Sequence, residues 1–203
     1  MEKIIQAVLQ AIPRAGLVEV EVSARHVHLT REHLDFLFGK GYELTPKRPL
    51  SQPGQFLSEE RVTIVGPKGK KDRTAILGPI RSATQIELSK SDCVAMGIKA
   101  PVRMSGDVKG SAPIQIIGPC GTLEVSEGAI IAKEHVHLTP DVAAIMGVHD
   151  QQHVDVEVFT ERPVIFRDVI LRVSSTAANR MHIDFDEANA ALVSGFTLGR
   201  ILK

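Results

Sequence analysis

The stretch Arg25-His26-Val27-His28-Leu29-Thr30 returns as Glu134-His135-Val136-His137-Leu138-Thr139, each residue 109 positions after its counterpart in a chain of 203. A displacement of half the chain predicts two related domains of roughly a hundred residues each, close to a common small-domain size. The sequence around both copies has a period of two. Val18, Val20 and Val22 alternate with Glu19, Glu21 and Ser23, the pattern of a half-buried strand. Similar β-rich runs fall at 61–65, 74–77, 114–117, 129–132, 153–159 and 164–173, with Gly66-Pro67, Gly78-Pro79, Gly118-Pro119 and Cys120-Gly121 as turn signals. Many short strands with Gly and Pro corners point to barrels or sandwiches. The expected fold is therefore mainly β with short capping helices, arranged as two related β-barrels.

The repeat has two degenerate members. Glu87-Leu88-Ser89 precedes a run from Asp92 to Gly97 that matches the run from Asp141 to Gly147 after His137-Leu138-Thr139. His182-Ile183-Asp184 leads into 186–192 and then Gly195. Each unit reads as a strand end carrying His or Glu, one apolar residue, a Ser, Thr or Asp helix N-cap, and a short helix closed by Gly. Residues 1–14 stand apart. Ile4, Ile5, Val8, Leu9 and Ile12 follow helical spacing, and Pro13 with Gly16 ends the pattern. This amphipathic helix either docks on its own domain or a dimer partner, or acts as a detachable targeting or assembly peptide.

Composition narrows the function classes. Lys+Arg and Asp+Glu number 24 each, so the chain lacks the cationic surplus of a dedicated nucleic-acid binder, although a local basic patch is compatible with that balance. Only Cys93 and Cys120 are present, which makes an intracellular, reducing setting the default expectation. No apolar run reaches the roughly 18 residues of a membrane span, and no secretory signal pattern precedes Gly16. Eight histidines accompany one Tyr and no Trp. Their placement carries the chemistry.

In an extended segment residues i and i+2 share a face, so His26 with His28, and His135 with His137, can each grip one ion. Glu87 and His182 occupy equivalent junctions and are the natural completions, but spacing does not decide which completes which pair. Imidazole-rich sites favour zinc over Mg²⁺ or Ca²⁺. With no CxxC for a structural knot, an open catalytic site is the expectation. Arg81 lies six residues before Glu87 and shares its face by parity if the strand is continuous, which would aim a guanidinium at an anion held there. Lys68, Lys70, Lys71 and Arg73 form a basic run at a hairpin tip, a solvated surface or a grip on cofactor phosphates. Cys120 is read as a buried or turn thiol, Cys93 as packing, and His33 and His149 as solvated; His153 heads a strand and has no assigned role.

The segments 23–29, 77–81 with 85–87, 133–138, and 181–184 with 186–189 resemble the PduL-type phosphotransacylases, the phosphate propanoyltransferases of bacterial microcompartments. The resemblance runs from Val18 to Lys203. It implies two β-barrels packed together with the active site between them, one spanning 25–132 and the other 15–24 plus 133–203, so that the first strand joins the C-terminal barrel. It also implies two zinc ions, one on His26, His28 and Glu87 and one on His135, His137 and His182, with Arg81 binding phosphate. Coenzyme A would lie along Val22, Ser23 and Ala24, near Lys68 and at Asn189. The implied reaction interconverts propanoyl-CoA or acetyl-CoA plus phosphate with acyl phosphate plus CoA. Residues 1–14 would be an encapsulation peptide that brings the enzyme to shell or core proteins in the microcompartment lumen, with a homo-oligomer as a further candidate partner. Two alternatives remain on the residues alone: a dizinc hydrolase of an ester or phosphate, and a non-enzymatic, metal-stabilised assembly module.

Overall fold

The computed structural model describes residues 1–203 except the side chains of residues 3, 4, 6, 8 and 9. The chain divides into two compact units, 24–132 and 1–23 with 133–203. It begins with α1 (Glu2–Arg14) and β1 (Leu17–Val22). Of the amphipathic stripe expected on α1, Ile4, Val8 and Leu9 lie outside the described side chains; Ile5 is exposed.

The unit of 24–132 contains β2 (His26–His28), α2 (Arg31–Phe38), β3 (Pro46–Pro49), β4 (Phe56–Gly66), β5 (Gly69–Gly78), β6 (Gln85–Glu87), α3 (Lys90–Met96), β7 (Val102–Arg103), β8 (Ala112–Ile117) and β9 (Thr122–Ala132). Six of its strands close a ring in the order β2-β5-β4-β8-β9-β6, with β3 and β7 appended to β4 and β9. Closure leaves the ring without a free edge to template aggregation. Alternation places Val27, Ile64, Ile76, Ile86 and Ile116 in a fully buried core.

The unit of 1–23 and 133–203 adds β10 (His135–Leu138), α4 (Pro140–Met146), β11 (His153–Val158), β12 (Val164–Val173), β13 (Arg180–Ile183), α5 (Phe185–Ala191) and β14 (Thr197–Leu202). Here the closed barrel runs β1-β13-β10-β12-β11-β14. Every pairing has the same sense as in the first ring. The His-x-His strand is parallel to one neighbour and antiparallel to the other, β5 and β6 in one ring, β12 and β13 in the second. β1 corresponds to β9: each is parallel to the return strand that carries the third candidate ligand, and antiparallel to the strand before it in the ring. The N-terminal strand thus completes the C-terminal barrel.

The capping pattern read from the sequence is observed with local differences. Thr30 and Ser89 accept from the third-residue N–H of α2 and α3, and Gly39, Gly97 and Gly147 close α2, α3 and α4. Thr139 makes no such side-chain cap; its own N–H is fixed instead by Asn179 Oδ1 at 2.8 Å. Helix α5 ends at Leu192, not Gly195. Leu192 takes the left-handed conformation at φ 53° because the N–H of Val193 must reach back to the Ala188 carbonyl, and Gly195 serves the following turn. Among the described residues no helix is long and apolar enough to cross a membrane.

Candidate metal centres

Each barrel gathers three potential ligands on one face of its His-x-His strand, with the intervening Val27 or Val136 turned into the core. In the 24–132 unit these are His26, His28 and Glu87; in the other they are His135, His137 and His182. Register explains the grouping left open by spacing. His26 lies opposite Glu87 across β2 and β6, and His135 lies opposite His182 across β10 and β13. Within each trio the ligand atoms lie within 4.8 Å of one another. The paired rings of His26/His28 and His135/His137 are both 4.8 Å apart, at 84° and 82°.

Main-chain carbonyls set the tautomers. His26 Nδ1 donates to the Ala24 carbonyl at 2.8 Å, and His28 Nδ1 donates to that of Leu77 at 3.2 Å. A carbonyl can only accept, so the proton sits on Nδ1 and both Nε2 atoms present lone pairs. Those two Nε2 atoms face each other at 3.2 Å, with Glu87 Oε2 at 3.5 Å from that of His26. Facing lone pairs repel unless a cation lies between them. Metal–ligand bonds near 2.0–2.1 Å in a tetrahedral zinc site place ligand atoms roughly 3.3 Å apart, so the donor set fits that ion. His135 repeats the arrangement, its Nδ1 donating to the Lys133 carbonyl at 2.8 Å.

Electrostatics agree with a cation site. Burial, the neighbouring His26 and the Arg81 guanidinium push the His28 pKa down to about 2, so that ring stays neutral and available as a ligand. Burial, His135 and His182 lower His137 to about 3. For His26, burial opposes the charge but the Glu87 carboxylate outweighs it and raises the pKa. Burial likewise opposes ionisation of Glu87, yet His26, His28 and a hydrogen bond from Ser105 hold it well below the usual carboxylate range.

Arg81 reaches this centre by a different route from the one expected. It lies in the loop between β5 and β6, not on a continuous strand, so the parity argument fails. Its main-chain N–H donates to the Leu29 carbonyl at 2.8 Å, and its Nη1 to Ser105 Oγ at 3.3 Å. Two further residues belong here that the sequence reading missed. Gln85 Nε2 donates to Glu87 Oε1 at 2.6 Å and to Ser105 Oγ at 2.9 Å, while Gly106 N–H donates to Gln85 Oε1 at 2.7 Å. Gln85 shares the face of Glu87 by strand parity and was legible; Ser105 arrives from a loop with no local signal.

The remaining candidates are placed as follows. Val22, Ser23 and Ala24 lead from β1 into β2, with the Ser23 N–H bonded to the Ile183 carbonyl. Asn189 is exposed on α5. Lys68 is exposed at the β4–β5 tip, where its N–H meets the Met96 carbonyl at the end of α3. Within the basic run Lys70 pairs with Asp72 and Lys71 with Asp92, which Arg25 also contacts. Cys120 is an exposed turn thiol and Cys93 is buried packing. His33 is not simply solvated: it is half-buried, and its Nδ1 lies 2.7 Å from Thr84 Oγ1. His149 is exposed, and His153 pairs with Asp168 at the surface.

Comparison with known proteins adds the chemistry of relatives. A sequence family described as phosphate propanoyltransferase matches residues 19–194. Curated proteins named phosphate propanoyltransferase are 44% identical in Clostridioides difficile strain 630, covering 100% of this chain and 97% of theirs, and 47% identical in Listeria monocytogenes serovar 1/2a, covering 99% and 96%. A further one from Thermotoga maritima is 48% identical, covering 94% of this chain and 91% of its own.

Proposed function

The chain belongs to the phosphate propanoyltransferase family, a family of acyltransferases, and from that premise we propose that it interconverts propanoyl-CoA plus phosphate with propanoyl phosphate plus CoA at a zinc-dependent site. The observation that carries this reading is the trio of buried His26 and His28 with half-buried Glu87, and Arg81 within electrostatic reach. In the forward direction a phosphate oxygen forms a bond to the thioester carbonyl carbon, the carbon–sulfur bond breaks, and CoA departs as thiolate. Bound zinc would supply a soft Lewis acid for sulfur and offset the negative charge of both reactants. Arg81 binds the phosphate by charge-assisted hydrogen bonds and orients it. Ser105 holds the guanidinium and the Glu87 carboxylate in one network, with Gln85 bracing both. The depressed pKa of His28 keeps its lone pair free of protons across the working pH range.

Val22, Ser23, Ala24, Lys68 and Asn189 are proposed to contact CoA, on the family resemblance. Residues 1–14 are proposed to direct the enzyme to a microcompartment, supported by the exposed apolar Ile5 on α1. Deletion of residues 1–14 should leave turnover intact and abolish particle association; loss of folding with unchanged association would overturn that role.

Zinc-loaded protein assayed with propanoyl-CoA should release CoA only when phosphate is present, and chelation should stop it. Phosphate-independent CoA release would instead identify a hydrolase, and a zinc-loaded protein without turnover an assembly module.

A further inference from the structure

The two centres differ in where each keeps a carboxylate. In the 24–132 barrel Glu87 belongs to the ligand trio, and the residue beside it on the parallel strand β9 is the buried Ile130. In the other barrel the third ligand is His182, and the residue beside it on β1, 109 positions before Ile130, is Glu21. Glu21 Oε2 lies 3.2 Å from His182 Nε2. We infer that Glu21 is a positioning residue for the three-histidine centre: it accepts the His182 Nε2–H and thereby fixes the tautomer that offers Nδ1 to the metal. The inference rests on the metal-dependent reading above.

Three observations carry it. A carboxylate only accepts, so this contact requires the proton on Nε2 and leaves the lone pair on Nδ1. His26, His28 and His135 are set the opposite way, with Nδ1 bound to main-chain carbonyls and Nε2 left for the ion. His182 takes its orienting partner from a side chain on β1 instead. Register also fixes Glu21 beside the ligand group, directly across from His182 on the parallel strand. Its charge supplies the otherwise all-imidazole centre with the negative partner that Glu87 gives the other. A carboxylate behind a ligating histidine raises the ligand's basicity, and losing it weakens metal binding about 10- to 100-fold.

The test is zinc affinity by chelator competition on the full chain, for the wild type, Glu21→Gln, Glu21→Ile and Glu19→Gln. Glu19 lies on the same face of β1 and pairs with Arg180 at 2.9 Å, so it controls for bulk charge. Glu21→Ile copies Ile130 and should weaken one of two zinc ions by about 10- to 100-fold. Glu21→Gln, a neutral acceptor, should recover part of that loss, and Glu19→Gln should change nothing. Long-range ¹⁵N NMR of the zinc-loaded wild type should show His182 bound through Nδ1 with Nε2 protonated, a readout independent of any variant's folding. Zinc on His182 Nε2, unchanged affinity in both Glu21 variants, or an equal loss in Glu19→Gln would each overturn this role while leaving the proposed reaction standing. A wild type that holds no zinc overturns both.

Discussion

At the residue scale Arg81 is the side chain whose proposed role separates phosphate use from metal binding. It is no ligand, and its guanidinium is held by Ser105 while its field bears on His26 and His28. A charge-assisted hydrogen bond to a bound anion contributes about 1.5–3 kcal/mol. Arg81→Ala is therefore expected to lower kcat/KM for phosphate by roughly 10- to 100-fold, with little change in zinc content or in KM for acyl-CoA. Arg81→Lys should recover little, since an ammonium lacks the planar fork. Steady-state kinetics with phosphate varied, alongside metal analysis, checks both. An Arg81→Ala enzyme with normal phosphate kinetics would remove it from the site. The sequence pointed to this residue through the family resemblance and through a parity argument that the backbone does not follow, because parity holds only along a strand and 79–84 is loop. The histidines were legible for the opposite reason: i and i+2 on a short strand leave little conformational freedom to hide where they point.

At the element scale the N-terminus of α5 carries an unusual carboxyl. Glu187 Oε2 accepts the Asp184 N–H at 2.7 Å while Asp184 Oδ1 accepts from the N–H of Asp186 and Glu187, a reciprocal capping box. Glu187 also shares a hydrogen bond with Glu134, and burial together with that carboxylate pushes its pKa up to about 9. The folded chain thus holds a proton at Glu187 that the unfolded chain releases near its ordinary value of about 4.3. Its contribution is full below that value and is lost as pH rises toward 9, so stability falls across this window. Glu187→Gln keeps a donor for Glu134 and an acceptor for Asp184 without the titration. The variant should melt at or near the wild-type temperature at pH 5 and a few degrees above it at pH 8.5, by calorimetry. An identical offset at both pH values would show that Glu187 does not hold the proton. The sequence foretold this helix and its Asp184 cap, but not the Glu134 contact or the close at Leu192. Both depend on tertiary placement, which local propensity does not encode.

For the whole molecule the decisive feature is the exchanged strand. The sequence repeat begins with β1 in one half and with β9 in the other, yet each of these closes the barrel that precedes its own His-x-His strand in the cyclic order of the fold. The 109-residue period was visible in the residues, whereas strand ownership came only from the family resemblance, because an alternating strand such as 18–22 reads the same whichever sheet accepts it. Residues 24–132 already hold all six strands of their ring, so that fragment is expected to fold alone and bind one zinc through His26, His28 and Glu87. Residues 133–203 lack β1, leaving β13 and β14 as unpaired edges. That fragment should aggregate or unfold without a cooperative transition. Joining residues 15–23 after Lys203 restores the order found in the other barrel, where β8 runs antiparallel into β9. The connection is short, since Leu17 pairs with Arg200 and the Ile201 N–H already meets the Gly16 carbonyl at 2.9 Å. A loop of about two to five residues suffices. This permuted fragment should be monodisperse, melt cooperatively and bind one zinc on His135, His137 and His182, whereas equal behaviour with and without the added strand would show that β1 is dispensable for closing the barrel.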